Sequence, residues 1–257
     1  MNNYLKEHKR AWLSLCFILM TTVCFIGFDV QGIMAETTGD LSSSWPSFRG
    51  NDANNAVVDS LTPTSADQTC LYWAAKGVEG SDWSSGAPSS PIIVDNCLVF
   101  TAKNKIIKMD TVSGEVVASG DLAGTLGFNV TPPTFGNGMI FVTLNTGVEA
   151  FDAKTLKSLW VYHDPDQGQA NCPISYYDGY VYTGFWQSET KSSIYVCIDV
   201  TDDDPANTKE EKTATWTYSH AGGFYWAGSF VCKDYLIVGT DNGSDKTAGH
   251  EQDPCRR

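Results

Sequence analysis

The stretch Pro133-Thr-Phe-Gly-Asn-Gly-Met-Ile-Phe-Val-Thr143 decides the fold, because its pattern recurs along the chain. It returns as Pro91-Ile-Ile-Val-Asp-Asn-Cys-Leu-Val-Phe-Thr101 and as Pro173-Ile-Ser-Tyr-Tyr-Asp-Gly-Tyr-Val-Tyr-Thr183. A fourth copy is Gly228-Ser-Phe-Val-Cys-Lys-Asp-Tyr-Leu-Ile-Val-Gly239. In each copy a short apolar run, a two-residue polar turn and a run of β-branched or aromatic residues predict a β-hairpin.

Each of the first three repeats continues beyond its hairpin into two further strands. The third strand ends in an apolar residue followed by Asp110, Asp152 or Asp199, and the fourth carries Trp160 in one repeat and Trp216 in another. Four short strands in every ~40–50 residues are typical of β-propeller blades. We therefore predict an all-β protein, a β-propeller of four-stranded antiparallel blades with about four blades present.

The first 35 residues have the composition of a targeting segment. Lys6, Lys9 and Arg10 precede an uncharged run over residues 11–28, and Ala35 provides an acceptable cleavage site. This order predicts a secretory signal peptide, or an uncleaved membrane anchor if no cleavage occurs. The predicted organisation is a signal at 1–35, an extended segment at 36–70, propeller blades at 71–243 and a polar tail at 244–257.

The composition of the 257-residue chain argues against some classes of binding partner. Hydrophobic residues make up 42% and charged residues 18%, which favours a folded core over a disordered chain. The net charge of −13 repels nucleic acid and anionic membrane. We predict an exported protein, secreted or at the cell surface, with no nucleic-acid partner and with membrane contact only through an uncleaved N-terminal segment.

Six cysteines follow the predicted signal: Cys70, Cys97, Cys172, Cys197, Cys232 and Cys255. An even number in an exported chain permits three disulfides, whereas their position in or beside apolar runs favours buried free thiols for four of them. We expect the free thiols, and the absence of a Cys-x-x-Cys pair gives no support to a zinc site.

The second repeat contains a motif that names a family. Ala150-x-Asp152-x-x-Thr155-x-x-x-x-Trp160 resembles the docking motif of pyrroloquinoline-quinone-type propellers, with Leu156 where that motif has Gly. The first repeat has Ser and Ala at the Thr and Trp positions, and an insertion interrupts the third. The resemblance implies a structural role between neighbouring blades for Ala150, Asp152, Thr155, Trp160, Asp199, Trp216 and also Trp73.

Members of this family are quinoprotein dehydrogenases or non-enzymatic propellers, such as the lipoprotein of outer-membrane barrel assembly and bacterial cell-surface repeat proteins. They usually have seven or eight blades. We therefore expect this chain to be the N-terminal part of such a propeller. The alternative is a small closed ring of four blades. Trp45-Pro-Ser-Phe-Arg-Gly50 is also similar to the start of many exported members.

The loops that precede the innermost strands mark a candidate binding surface at one mouth of the central channel. Their aromatic and amide side chains favour a carbohydrate or a peptide strand, although aromatic residues there could instead plug the channel. The candidate binding residues are Trp83, Phe128, Asn129, Asn171, Tyr225 and Trp226.

The sequence gives no support to a catalytic centre, and we assign no catalytic, cofactor-binding or metal-binding residue. Dehydrogenases of the family use pyrroloquinoline quinone with Ca²⁺, and several place a disulfide of adjacent cysteines against the quinone. No two cysteines are adjacent here. The acidic runs at 202–204 and 241–245 lack the ligand spacing of an EF-hand. We predict a non-catalytic binding or scaffolding module, with a quinoprotein-type oxidoreductase fragment as the alternative.

Overall fold

The computed structural model describes residues 41–51, 54–59, 62–75, 88–127, 131–232, 235–241 and 255–256. The predicted signal peptide lies outside these residues. Two short 3-10 turns, Phe48–Gly50 and Ala66–Gln68, are the helical elements of the described part. None of its helices is long and apolar enough to cross a membrane.

The described residues otherwise form short strands. In chain order they are β1 (Ile92–Val94), β2 (Cys97–Ala102), β3 (Lys105–Asp110), β4 (Val116–Asp121), β5 (Thr134–Gly136), β6 (Met139–Leu144), β7 (Gly147–Asp152), β8 (Ser158–His163), β9 (Ser175–Tyr177), β10 (Tyr180–Gly184), β11 (Ser192–Asp199), β12 (Glu210–Lys212), β13 (Trp216–Ala221), β14 (Phe230–Cys232), β15 (Tyr235–Ile237) and β16 (Cys255–Arg256).

These strands form successive antiparallel blades, which confirms the predicted all-β propeller fold. Blade 1 has the order β1-β2-β3-β4, blade 2 contains β5-β6-β7-β8 and blade 3 is β9-β10-β11-β13. A fourth sheet has the order β14-β15-β16. The sequence analysis expected two strands in this last sheet, and the pairing of Leu236 with Cys255 adds a short third one.

The hairpin turns explain why the repeats adopt this register. Both central residues of a tight two-residue hairpin must take positive φ, which Asn, Asp and Gly tolerate best. The turns of the first three blades meet this condition, with φ values of 52° and 57° at Asp95 and Asn96, 52° and 72° at Asn137 and Gly138, and 48° and 84° at Asp178 and Gly179.

Alternation along the strands gives blades 2 and 3 two apolar faces each. Ile140 of β6 packs in a core between blades 1 and 2, whereas its neighbour Phe141 packs in a core between blades 2 and 3. A third core, which includes Tyr195 and Leu236, joins blade 3 to the fourth sheet. The sheets are therefore stacked face to face, as successive side chains of a strand point in opposite directions.

The insertion in blade 3 forms an additional strand that the sequence analysis missed. Residues of β12 pair in parallel with β8, so that Glu210 lies opposite Trp160 and Lys212 lies opposite Tyr162. Blade 2 thereby gains a fifth, outer strand from the chain segment of blade 3. This pairing covers an edge that would otherwise expose unpaired backbone groups.

Residues 71–75, at the start of the predicted blade region, form no strand. These residues form no ladder with any described strand, and Leu71 and Tyr72 are highly exposed. Trp73 alone is half-buried, because it packs against the turn of blade 1. The apolar composition of this stretch therefore reflects one anchoring side chain instead of a buried strand.

Residues 42–51, which we call the strap, cross the inner edges of the blades. The carbonyl oxygen of Trp45 accepts the N–H of Ile93 in β1 at 3.0 Å, and that of Pro46 accepts the N–H of Phe135 in β5 at 2.7 Å. Just beyond the strap, the side-chain amide of Asn54 donates to the carbonyl oxygen of Ser229 at 2.9 Å. One segment thus contacts the first, second and fourth sheets.

Candidate functional site

The Asp residues of the docking motif fix the turns between the third and fourth strands. Asp152 Oδ1 accepts the backbone N–H of Thr155 at 2.8 Å and its hydroxyl at 2.6 Å. Asp110 accepts the same pair of donors from Ser113, and these hydrogen bonds lower the pKa of Asp110. In blade 3 the Asp199 carboxylate accepts the N–H of Thr201 at 2.8 Å. These carboxylates are therefore engaged in turns.

The motif Trp residues connect neighbouring blades. Trp160 is fully buried, and its indole N–H donates to the carbonyl oxygen of Val200 at 3.2 Å. Trp73 makes the equivalent bond to Thr111 at 3.0 Å. Each acceptor directly follows the docking Asp of the next blade. Trp216 is half-buried, with its ring 6.1 Å from that of Tyr182.

Blade 1 has a lysine in place of this tryptophan bridge. Lys108 lies directly opposite Ala118, whereas Ala150 lies opposite Trp160 in blade 2. In blade 1 the third strand therefore carries the large residue of the pair and the fourth strand the small one, whereas blade 2 has the reverse arrangement. The Lys108 side chain is 5% exposed, and its ammonium group donates to the carbonyl oxygen of Ala153 at 3.0 Å. This carbonyl also follows a docking Asp, so an ammonium replaces the indole N–H.

The residue at the Gly position of the motif changes with the tryptophan. Gly114 in blade 1 has a φ of 72°, and a Cβ atom there would lie 2.6 Å from the Trp73 ring. Leu156 holds the same position in blade 2 with a φ of 54°, and its buried side chain joins the core against which Ala118 packs. The large Leu156 in the turn of blade 2 thus occurs together with the small Ala118 in the fourth strand of blade 1.

The predicted binding residues belong to loops that precede the innermost strands, and the described loops among them form one face of the blades. Trp83, Phe128 and Asn129 lie outside the described residues. Asn171 is 2% exposed, and its Nδ2 atom has no hydrogen-bond partner among the described residues. Tyr225 is half-buried and Trp226 is 50% exposed. The described members of the set therefore divide into a buried amide and an aromatic pair.

Trp186 adds a third aromatic ring that the sequence analysis missed. Its ring centroid lies 4.8 Å from that of Tyr225, which in turn lies 4.3 Å from that of Trp226. We call these residues the aromatic ladder. Trp186 is in the loop between β10 and β11, so its place on this face follows from the blade geometry. Its aromatic character in a polar loop was the available signal.

A polar groove of about 330 Å³ adjoins the ladder. It is lined by Asp166, Gln167, Gln169, Trp186, Gln187 and Lys191. Two backbone hydrogen bonds between Gln169 and Trp186, at 2.6 and 3.0 Å, join its walls. The groove thus combines one indole, three primary amides and two opposite charges on a braced frame.

Four cysteines of the described part are free thiols. Cys70 is exposed, whereas Cys97, Cys172 and Cys197 are buried. Burial raises the pKa of Cys172 to about 12, which keeps it a thiol at neutral pH.

The acidic run at 202–204 contributes Asp203 to an ion pair with Lys212, which also contacts Glu210 at 3.1 Å. This run therefore braces the insertion.

Neither a protein-family model nor a curated protein matches this chain. Several solved structures match its fold, among them two quinohemoprotein alcohol dehydrogenases. The quinohemoprotein alcohol dehydrogenase from Comamonas testosteroni has 17% identity and a TM-score of 0.51, covering 68% of this chain and 27% of its own. The quinohemoprotein alcohol dehydrogenase ADHIIG from Pseudomonas putida HK5 has 18% identity and a TM-score of 0.51, covering 69% and 26%. The chain shares its β-propeller fold with these two structures.

The propeller chain described here spans about a quarter of the length of these two dehydrogenases. BamB from Moraxella catarrhalis also matches, with 16% identity and a TM-score of 0.41 over 62% of this chain and 44% of its own. These likenesses concern the fold, and the activity of a propeller depends on the residues grafted onto it.

A quinone and Ca²⁺ site needs several carboxylate and amide oxygens around the ion. The inner strands β1, β5 and β9 carry Ile-Ile-Val, Thr-Phe-Gly and Ser-Tyr-Tyr, which provide no carboxylate. Within the described part, no three His, Cys, Asp or Glu side chains are grouped so that they could hold a metal ion. The strap also runs along the inner edges of β1 and β5.

Proposed function

We propose that this chain is an exported, non-catalytic propeller that binds a partner through its aromatic ladder. The observation that carries the proposal is the state of Trp226. This large residue is 50% exposed and has a φ of 62°, a conformation that is unfavourable for bulky residues. Exposed aromatic area and local backbone strain are together typical of binding surfaces, because folding alone favours neither.

Export is supported by the charged and apolar pattern of residues 1–35. Edman sequencing of the protein recovered from the medium or the periplasm of an expressing cell tests it. The expected mature N-terminus is Glu36. An N-terminus at Met1 in a membrane-bound product would support the anchor, and cytoplasmic retention would contradict export.

The binding proposal is tested with the full chain immobilised on a sensor and exposed to neutral oligosaccharides, anionic oligosaccharides and unstructured peptides. We expect at least one class to bind, and Trp226→Gly to weaken that binding by about tenfold. The same variant should keep the free energy of unfolding within ~1 kcal/mol, because loss of a ring contact is offset by relief of the positive φ.

Tyr72→Ala is the control, because it removes an exposed aromatic side chain that lies outside the ladder. Its binding should equal that of the wild type. The proposal fails if no class binds, or if Trp226→Gly and Tyr72→Ala bind alike.

The alternative function is that of a quinoprotein-type oxidoreductase fragment. It predicts dye-linked oxidation of a primary alcohol after pyrroloquinoline quinone and Ca²⁺ are added to the full chain. We expect no turnover above that of quinone and Ca²⁺ alone, because the described residues lack a fitting donor set. Turnover that requires the folded chain would reverse this assignment.

A further inference from the structure

We infer that the polar groove beside the aromatic ladder binds a neutral oligosaccharide, an inference that rests on the proposed binding function and specifies its ligand class. The lining of the groove contains no aliphatic side chain, and Trp186 supplies its apolar surface. Its volume of about 330 Å³ lies at the small end of ligand sites, which span roughly 300–1,000 Å³. An open groove of this size accommodates part of a chain-like ligand.

The polar groups of the groove match hydroxyl groups. A primary amide both donates and accepts hydrogen bonds, as a sugar hydroxyl does. Gln187 donates one N–H to the carbonyl oxygen of Asp166 at 3.1 Å, and Gln167 donates one to that of Asp164 at 3.0 Å. Each bond orients an amide and leaves its other N–H for a ligand. Trp186 adds a π face, which attracts the weakly positive C–H face of a sugar ring.

The frame of the groove is held in place before any ligand arrives. The backbone N–H of Gly168 donates to Asp164 Oδ2 at 2.5 Å, inside the loop that carries Gln167 and Gln169. A Cβ atom at Gly168 would lie 2.9 Å from both this carboxylate oxygen and Phe185 Cβ. Preorganised polar groups lose less conformational entropy on binding, which increases affinity for a weakly binding ligand.

The charges of the groove favour a neutral ligand over an anionic one. Asp166 and Lys191 are both exposed, and neither forms a salt bridge among the described residues. Their opposite charges cancel at the site, while the net charge of −13 on the whole chain repels polyanions.

A peptide strand fits the groove less well. Peptides commonly bind by adding a strand to an open sheet edge, where backbone groups are unpaired. The backbone groups of Gln169 and Trp186 already pair with each other across the walls. Side chains therefore provide the contacts of the groove, which is the usual mode of sugar binding.

Titration calorimetry and saturation-transfer NMR on the full chain test this inference. The probes are hexasaccharides of glucose, mannose, galactose and N-acetylglucosamine, together with hexagalacturonate as the anionic probe and an unstructured peptide. We expect one neutral hexasaccharide to bind, Trp186→Ala to weaken binding at least about tenfold, and Gln187→Ala to weaken it about threefold or more.

Trp186→Phe keeps an aromatic face and should recover part of the affinity, which guards against misfolding of the alanine variant. Gln68→Ala is the matched control for Gln187→Ala, because Gln68 is an exposed glutamine that bonds Thr64 outside the groove. Its affinity should equal that of the wild type. Near-ultraviolet circular dichroism confirms that each variant keeps its aromatic packing.

The inference is overturned if no neutral probe binds, or if Trp186→Ala and Gln187→Ala leave neutral binding unchanged. If the peptide or hexagalacturonate binds in place of the neutral probes and Trp226→Gly abolishes that binding, the sugar inference fails and the proposed binding function stands. If no probe of any class binds, both fail.

Discussion

Beside its apolar core, the interface between blades 1 and 2 contains buried charged side chains, whereas the interface between blades 2 and 3 contains aromatic ones at the corresponding places. At the first interface Lys108 donates to Ala153, and the fully buried Glu149 accepts the N–H of Ala123 at 2.7 Å and the hydroxyl of Ser158 at 2.7 Å. At the second, Trp160 donates to Val200, and Phe141 stacks on Tyr176 at 6.0 Å.

The difference shows that one blade geometry accepts two chemistries. Both interfaces deliver an N–H donor to the carbonyl that follows a docking Asp, at 3.0 Å in one case and 3.2 Å in the other. Neighbouring blades therefore need a side chain at this point that fills the space between them and donates a hydrogen bond to this carbonyl oxygen. The aromatic solution contributes more buried apolar area, so we expect it to be the more stabilising of the two.

Trp160→Ala should produce the largest effect, because it leaves a cavity and an unpaired carbonyl at Val200. We expect a loss of ~3–5 kcal/mol in the free energy of unfolding, measured by urea denaturation. Trp216→Ala removes the same type of side chain from a half-buried site and should cost less than half as much. Equal losses would show that the aromatic interface has no special weight.

Lys108→Met should cost ~1–2 kcal/mol, because it keeps most of the buried stem but leaves the Ala153 carbonyl without its donor. The same denaturation assay measures it. Lys105→Met is the control, since Lys105 is partly exposed and pairs with Asp121 at the surface. A loss at Lys108 no larger than at Lys105 would contradict a role for the polar bridge.

The two interfaces also predict a rescue. Lys108→Ala and Ala118→Trp in blade 1, together with Leu156→Gly in blade 2, give the interface between these blades the residue types of the Trp motif. Each single change should destabilise the protein, and the triple variant should recover at least ~1 kcal/mol relative to the sum of the single changes. Additive losses would mean that the exchange of small and large residues is coincidental.

Glu149 makes the first interface sensitive to pH. Burial raises the pKa of Glu149 above its ordinary value of 4.5, so the folded state holds this proton more tightly than the unfolded state does. Its contribution to stability is therefore present in acid and is lost as the pH rises from 4.5 through the raised pKa. The difference in stability between the wild type and Glu149→Gln should shift against the wild type over this window.

A difference that is constant with pH would contradict the raised pKa. Val196 stands at the corresponding position of β11 and is fully buried, so Val196→Ala provides a control that changes stability without a pH-dependent term.

The smallest effect is expected at Lys212, whose side chain pairs with two carboxylates inside the insertion of blade 3. Lys212→Met breaks its pairs with Asp203 and Glu210, and we expect a loss of about 1 kcal/mol or less because Asp203 is largely exposed. Hydrogen exchange should show faster exchange at β12 while β8 stays protected. Unchanged exchange at β12 would show that its backbone pairing suffices.

The fold was predictable because its signals are local. The turns at Asn137-Gly138 and Asp178-Gly179 specify hairpins within a few residues, and repetition at a period of about 40 residues specifies the blade. The aligned repeats also showed Ala118 at the Trp position, but they did not lead to a prediction for Lys108, which stands at the Ala position of the motif. Its donor role depends on a carbonyl 45 residues away.

The candidate site was less predictable, because it depends on contacts between loops of different blades. Tyr225 and Trp226 follow from the blade pattern, but Trp186 joins them through a loop on the neighbouring hairpin. The pairing of Gln169 with Trp186 is likewise set by how blades 2 and 3 stack. No repeat and no alternation in the sequence predicts an isolated backbone bridge of this kind.

The strap and Asn54, which follows it, have a consequence for the timing of folding. Asn54 is made early in synthesis, yet its bond to Ser229 spans 175 residues and waits until most of the described chain has emerged. Local hairpins form in roughly microseconds, so successive blades can assemble while the inner edges of β1 and β5 remain uncovered. The segment that precedes the blades is thus expected to reach its final place last, so that its contacts with the blades form only after the blades have assembled.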